Sequence, residues 1–419
     1  MIQYDISDKG AMGMTAALNL IRVERSLFNG DDRPLGLNEV QQVTQTTDQN
    51  SRTGADGLGL TLLGLFGETG SLLSELKKKQ RDQDAYYGYR ESVIEELGDV
   101  IWYFSNTTLR AGLQLSALAD KIPATLSDWS YHGRSSPTAF ADLQKPRQEL
   151  AGPLSGDRVE HHLLSLAGKV GRLLENFTAG RIADNRDVLS ADLVEIFREL
   201  IAAADGAEVS LEEAALGNIE KTLGRWPKIR DFGALYDETE DDDEQLPRRI
   251  VMTFKEKDVA GKKYVLQQCN GLNIGDRLTD NRVPEDDYRF HDVFHLAYAA
   301  ILGWSPVLRA LFKVKRKSKP AKDENEDGAR AALIEEGIAT WVFNHGARLQ
   351  DFRNVARLDH ALLRAIRDLV KGYEVENRPL WQWEFAILEG FRIFRELRTH
   401  RGGVVTADLH DHSIKFESR

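Results

Sequence analysis

Glu96 and Asp99 stand three residues apart in EELGD, and Glu68 precedes them in the amphipathic stretch GLFGETGSLLSEL. A three-residue spacing puts Glu96 and Asp99 on one helix face, and a second helix packed antiparallel can aim a further carboxylate at the same point. Clustered hard oxygen ligands suit Mg²⁺ or Mn²⁺, and such ions suit phosphate substrates. The commoner use of that spacing is a solvated helix face. A second group lies far along the chain, where RFHDVFHLAY sets His291 and His295 one helical turn apart with Asp292 between them. That spacing can hold one metal ion. The stretch ALIEEGIATWVFNHG adds Glu335, Glu336 and His345, and hydrogen-bonded polar residues between helices are the alternative for the whole set.

Helices must position these residues. SVIEELGDVIWYFSNTTL and ADLVEIFRELIAAA carry apolar residues at i, i+3, i+4 and i+7, the helical period, so the first half reads as all-α. Beyond the acidic run DETEDDDEQLPRR at 237–249, RRIVMTFKEK, KKYVLQQCN and HSIKFE have β-branched, partly alternating patterns between strong helices such as WQWEFAILEGFRIFREL. The acidic run has no apolar periodicity and reads as a linker. The stretch FKVKRKSKPAKDENEDG at 312–328, basic and then acidic, reads as a solvated loop. HDH at 410–412 is assigned no role.

The chain of 419 residues is long for a single core, and its 42% apolar and 29% charged residues are ordinary for a globular protein, which excludes disordered and collagen-like classes. The net charge of −11 argues against non-specific binding to nucleic acid or anionic membrane. No run of about 18 apolar residues marks a membrane span, and MIQYDISDKG lacks the order of a signal peptide, so the expected location is the cytoplasm. The single cysteine, Cys269, fits a reducing compartment as a packing residue.

An internal repeat runs through the first half. LLGLFGETGSLLSEL at 62–76 returns as LLSLAGKVGRLLENF at 163–177, with Lys169 for Glu68 and Arg172 for Ser71. KIPATLSDW at 121–129 returns as NIEKTLGRW at 218–226. Duplication of a helical unit is the economical explanation. An offset of 94 residues for the second helix sets Ser190 and Leu193 opposite Glu96 and Asp99, leaving the second copy without a metal site. Its tail holds Asn218, Lys221 and Arg225, where the first copy has Lys121, Ala124 and Asp128. At helical spacing these three can present an amide and two cations to a phosphate chain, or cap a solvated helix end.

Taken in order, LNEVQQVTQTT, GLFGETGSLLSELKKK, VIEELGDVIWYF and NIEKTLGRWP resemble the MazG-type all-α nucleotide pyrophosphohydrolases over roughly residues 35–230. The resemblance implies Mg²⁺-dependent hydrolysis of a nucleoside triphosphate between its α and β phosphates, giving the monophosphate and pyrophosphate. Carried over by position, it implies Glu68, Glu96 and Asp99 as metal ligands, and leaves Glu95 as a ligand, a proton acceptor or neither. The family's second Glu of the first motif falls here at Ser71. Glu75, seven residues after Glu68, shares its face but lies about 10 Å further along the axis, within reach of a second ion. The alternative function is a nucleotide-binding sensor or regulatory protein, of a conflict or defence system, that binds without hydrolysing.

The expected fold is therefore mostly α. A tandem of MazG-like helical units at 1–132 and 133–236, the second degenerate, precedes an acidic linker at 237–247 and a helical module with a small β-sheet at 248–419. The resemblance also implies that the two units form an internal pseudo-dimer, with further homo-oligomerisation left open.

Overall fold

The computed structural model describes residues 34–122, 138–144, 156–182 and 185–418. Ala124 and Asp128 lie outside them. The described chain is mostly helical with one small antiparallel sheet, and it divides into two compact units, Met1–Leu223 and Gly224–Arg419. No single helix among the described residues is long and apolar enough to cross a membrane.

In the first unit, α1 (Leu37–Thr47) starts where the Glu39 carboxylate accepts the Gly36 backbone N–H at 2.9 Å. The second helix, α2 (Gly54–Asp82), is rich in glycine, which costs up to about 1 kcal/mol per residue in a helix interior. It forms because Leu58, Leu62, Leu65, Leu72 and Leu76 recur on one face and are all buried, each contributing about 1.5–3 kcal/mol. At Gly64 the missing side chain is required: a Cβ there would come within 2.0 Å of the Tyr103 ring on α3 (Tyr89–Arg110). The short α4 (Leu115–Ala119) follows.

A second helix pair, α5 (Gly156–Thr178) and α6 (Arg186–Gly206), packs as α2 and α3 do, and the two pairs meet through α2 and α5. Phe104 of α3 lies 5.0 Å from Phe197 of α6, ring centre to ring centre, within one continuous core. The last helix, α7 (Leu211–Arg225), buries Leu211, Ala214, Ala215 and Ile219 in that core.

The second unit wraps a five-stranded sheet of order β3-β2-β1-β4-β5, formed by β1 (Arg249–Val259), β2 (Lys262–Cys269), β3 (Leu272–Asn273), β4 (Gly402–Asp408) and β5 (Ser413–Glu417). Met252 sits opposite both Cys269 and Val405, and its alternate neighbours Ile250 and Phe254 are buried with it, as an antiparallel sheet covered on one face requires. The cover comes from α8 (Asp292–Leu302), whose residues from Val293 onward are all buried, and α13 (Leu380–His400). The helices α9 (Pro306–Phe312), α10 (Pro320–Asn325), α11 (Ala329–Ala347) and α12 (His360–Leu369) complete the unit.

Two polar stretches depart from their sequence reading. Residues 237–247, expected as a linker, pack within the second unit: Asp237 accepts from Arg248 and Arg309 at 2.6 Å each, and Glu240 pairs with Lys319 at 2.5 Å and Lys322 at 2.9 Å. The basic-to-acidic stretch expected as a solvated loop buries Arg316 between Asp327 at 2.8 Å and Glu374 at 2.7 Å. Lys319 and Lys322 of the second stretch neutralise Glu240 of the first, and the remaining charges find partners elsewhere in the unit, so segments that look solvated singly become ordered.

Candidate functional site

The first unit brings Glu68 of α2 together with Glu96 and Asp99 of α3, one carboxylate oxygen from each lying within 4.8 Å of the others. The cluster is strained electrostatically. Burial, then the charges of Asp99, Glu68 and Glu95, push Glu96 up to about 7 from an ordinary 4.5. Burial and then Asp99 raise Glu68 as well, while the Ser71 hydroxyl donates to Glu68 and opposes the rise. Burial raises Asp99 in spite of its cationic neighbour Lys221.

That neighbour comes from α7. Lys221 Nζ lies 2.7 and 2.6 Å from the two oxygens of Asp99 and 3.4 Å from Glu95, and Asn218 Nδ2 donates to Asp99 at 2.7 Å. The approach depends on Gly98, where a Cβ would fall 2.6 Å from the Ala214 carbonyl oxygen and 3.0 Å from Asn218 Cβ. Three carboxylates with one lysine leave a net negative, oxygen-lined site. Its donor set fits a hard divalent cation, with Asp99 shared between that ion and Lys221.

Two expected participants stand apart. Glu75 gives one oxygen to Lys78 at 2.5 Å and the other to the Tyr86 hydroxyl, which explains its burial without a metal role. Arg225, the last residue of α7, falls in the second unit, where its guanidinium donates to the Leu358 carbonyl at 2.7 Å and burial lowers its pKa.

The α5–α6 pair holds a different arrangement. Lys169 Nζ sits 2.7 Å from Glu195 and 3.2 Å from Glu199, Arg198 lies 2.8 Å from Glu195, and His162 lies 3.3 Å from Glu199. Glu195 and Glu199 follow Glu95 and Asp99 by one hundred residues, and at that offset the buried positions Val93, Leu97, Val100 and Ile101 match the buried Leu193, Phe197, Leu200 and Ile201. The offset of 94 missed both glutamates. The apolar pattern of DLVEIFRELI against VIEELGDVI was the signal that could have found them.

In the second unit, His291, Asp292 and His295 also converge within 4.8 Å. Glu335 and Glu336 of α11 flank them: His295 Nδ1 is 2.8 Å from Glu335, and His295 Nε2 is 3.4 Å from Glu336. His295 is wholly buried; burial opposes its protonation, and Glu335 and Glu336 outweigh it, so that its pKa is raised well above the ordinary value. His345, by contrast, stacks against Phe352, with ring centres 6.2 Å apart. His412 of the HDH stretch stacks on Phe232.

Residues 232–419 match the family model described as the MazG C-terminal domain. The chain is 32% identical over 68 residues to the Gene 37 protein of Mycobacterium phage L5, which is 16% of this chain and 60% of that protein's length. No solved structure matches.

Proposed function

We propose that the first unit is a Mg²⁺-dependent nucleotide pyrophosphohydrolase, cleaving a nucleoside triphosphate between its α and β phosphates to give the monophosphate and pyrophosphate. The observation that carries this reading is the convergence of Glu68, Glu96 and Asp99 with Lys221 and Asn218 on one point of the first unit. The match of the second unit to the MazG C-terminal domain supports it from outside the site.

Glu68, Glu96 and Asp99 would hold the Mg²⁺ or Mn²⁺, which when bound neutralises phosphate oxygens and acidifies an attacking water. Lys221 contributes a mobile cation on a long stem, and a triphosphate can draw it from Asp99 as the carboxylate's charge is taken up elsewhere. The Asn218 amide, donating to Asp99, would orient that carboxylate. Glu95, at the edge of the set, would receive the proton of the water that attacks the α phosphorus. The bridging P–O bond breaks and pyrophosphate departs with its electrons. On this reading α2–α3 and α5–α6 are the halves of an internal pseudo-dimer in which one half kept the carboxylate site and the other supplies, through α7, the lysine and asparagine that complete it.

The test is incubation of the whole protein with a panel of nucleoside triphosphates and Mg²⁺, with both products quantified. Equimolar monophosphate and pyrophosphate are expected. Release of orthophosphate and diphosphate, or no turnover of any nucleotide, would contradict the reading.

A further inference from the structure

Independently of the first unit's chemistry, we propose that the second unit binds one divalent transition-metal ion, of the zinc, iron and manganese class, through His291 Nε2, His295 Nε2 and the carboxylates of Asp292 and Glu336.

The tautomers come first. His291 Nδ1 lies 2.9 Å from the Tyr288 carbonyl oxygen, which can only accept, so that nitrogen carries the proton and Nε2 presents a lone pair in the neutral ring. His295 Nδ1 lies 2.8 Å from Glu335, whose carboxylate sets the same tautomer. Glu335 is itself fixed by the Ser305 hydroxyl at 2.7 Å and the Val307 N–H at 2.9 Å. A carboxylate or carbonyl behind each imidazole is the outer arrangement that orients metal-bound histidines and raises their basicity. Asp292 is braced similarly: Gln267 donates to one oxygen at 2.6 Å, while the other lies 3.1 Å from His291 Nε2.

The inner atoms have metal spacing. His291 Nε2 is 3.7 Å from Glu336, and His295 Nε2 is 3.4 Å from its other oxygen. Bonds of about 2.0–2.1 Å to a common ion set ligand atoms roughly 3–3.4 Å apart, so these pairs stand near bonding separation, and His291, Asp292 and His295, whose ligand atoms lie within 4.8 Å of one another, would draw together around an ion. His295 Nε2 is buried and makes no hydrogen bond, its near neighbour being the Glu336 oxygen at 3.4 Å, so a buried polar atom is left for a bound ion to satisfy. Two imidazoles with two carboxylates favour transition ions over Mg²⁺, which takes oxygen ligands and keeps its waters. The Glu336 side chain is 41% exposed, so one side of the site opens to solvent and leaves a coordination position for water or substrate.

The rival is an imidazolium of His295 clamped between Glu335 and Glu336. The two are separated by titrating chelator-stripped, full-length protein with Zn²⁺, Mn²⁺ and Co²⁺ by calorimetry, in an Asp99→Asn background that disables the first unit's carboxylate set. One tight equivalent is expected, with Co²⁺ giving the visible absorption of a site with nitrogen ligands. His291→Gln should weaken binding by at least about 100-fold, and Glu335→Gln, a positioning change, by about 10- to 100-fold. Should His291→Gln fail to fold, the half-exposed Glu336→Gln carries the first-ligand prediction. Folded protein that binds none of the three ions, or a ligand variant with undiminished affinity, would overturn the site and leave the imidazolium clamp.

Discussion

The α2–α3 and α5–α6 pairs place charge at the same level of similar helical frames and neutralise it differently. Between α5 and α6, Lys169 and Arg198 pair with Glu195 and Glu199, so the cations are built into the chain. Between α2 and α3, Glu68, Glu96 and Asp99 face one another, with Lys221 paired to Asp99 alone of the three, and Glu96 is driven towards neutrality. A folded protein tolerates such an excess when something outside the chain supplies the missing charge. The contrast is between a polar cluster neutralised by its own chain and one whose charge excess the proposed cation would offset.

Removing the built-in cation of the α5–α6 pair should have the largest effect. Lys169→Glu sets a third carboxylate against Glu195 and Glu199 in a largely buried place, and should cost about 2 kcal/mol after allowance for solvent screening. For a unit of this size that lowers Tm by roughly 4–8 °C. In an Asp99→Asn background, Mg²⁺ should restore part of the loss; an unchanged Tm would show that the α5–α6 charges matter little.

Gly98→Ala sharpens the contrast through geometry. Alanine in a helix should gain up to about 1 kcal/mol over glycine, yet here its Cβ meets the Ala214 carbonyl oxygen, and overpacking costs typically about 1–3 kcal/mol. A net loss of stability, together with weaker nucleotide binding as Asn218 and Lys221 are displaced, is the expected outcome in thermal melts and binding titrations. A more stable variant with full affinity would remove α7 from the site.

A smaller effect tests the charge excess directly. The Glu96 carboxyl titrates near 7 in the folded protein against 4.5 unfolded, so the folded state holds the extra proton in between. Stability therefore falls as pH rises from about 4.5 to about 7, and the full penalty is present above that. Glu96→Gln should raise Tm at pH 8 by roughly 2–4 °C without divalent ions and do nothing at pH 4. Saturating Mg²⁺ should erase the advantage. Equal melting of the two proteins at both pH values would show that Glu96 feels no excess charge.

Much of this was legible in the residues. The helical first half follows from apolar stripes such as Leu58, Leu62 and Leu65, and the sheet from the alternation of Ile250, Met252 and Phe254. Glu96 and Asp99 were readable as neighbours because three-residue spacing fixes a helix face whatever packs on it, while Glu68, on a separate helix, was joined to them by the family resemblance. What escaped depends on partners distant in sequence. The burial of Arg316 needs Glu374, and the acidic run at 237–247 is ordered by Arg309, Lys319 and Lys322. Glu75 shares a face with Glu68, but Tyr86, beyond the end of the helix, takes up one of its oxygens. The closeness of α7 at Gly98 could not be foreseen, since a glycine within EELGD reads locally as a weak helix former.

On the proposed function, the carboxylates shared by α2 and α3 hold a cation used in cutting nucleotides. That role is tested most directly by the Mg²⁺ dependence of pyrophosphate release in wild type and Asp99→Asn, using the best triphosphate substrate. Wild type should show saturable Mg²⁺ activation, and the variant, still folded, should turn over at least about 100-fold more slowly at every Mg²⁺ concentration. Pyrophosphate release in the variant at the wild-type rate and Mg²⁺ dependence would contradict the account.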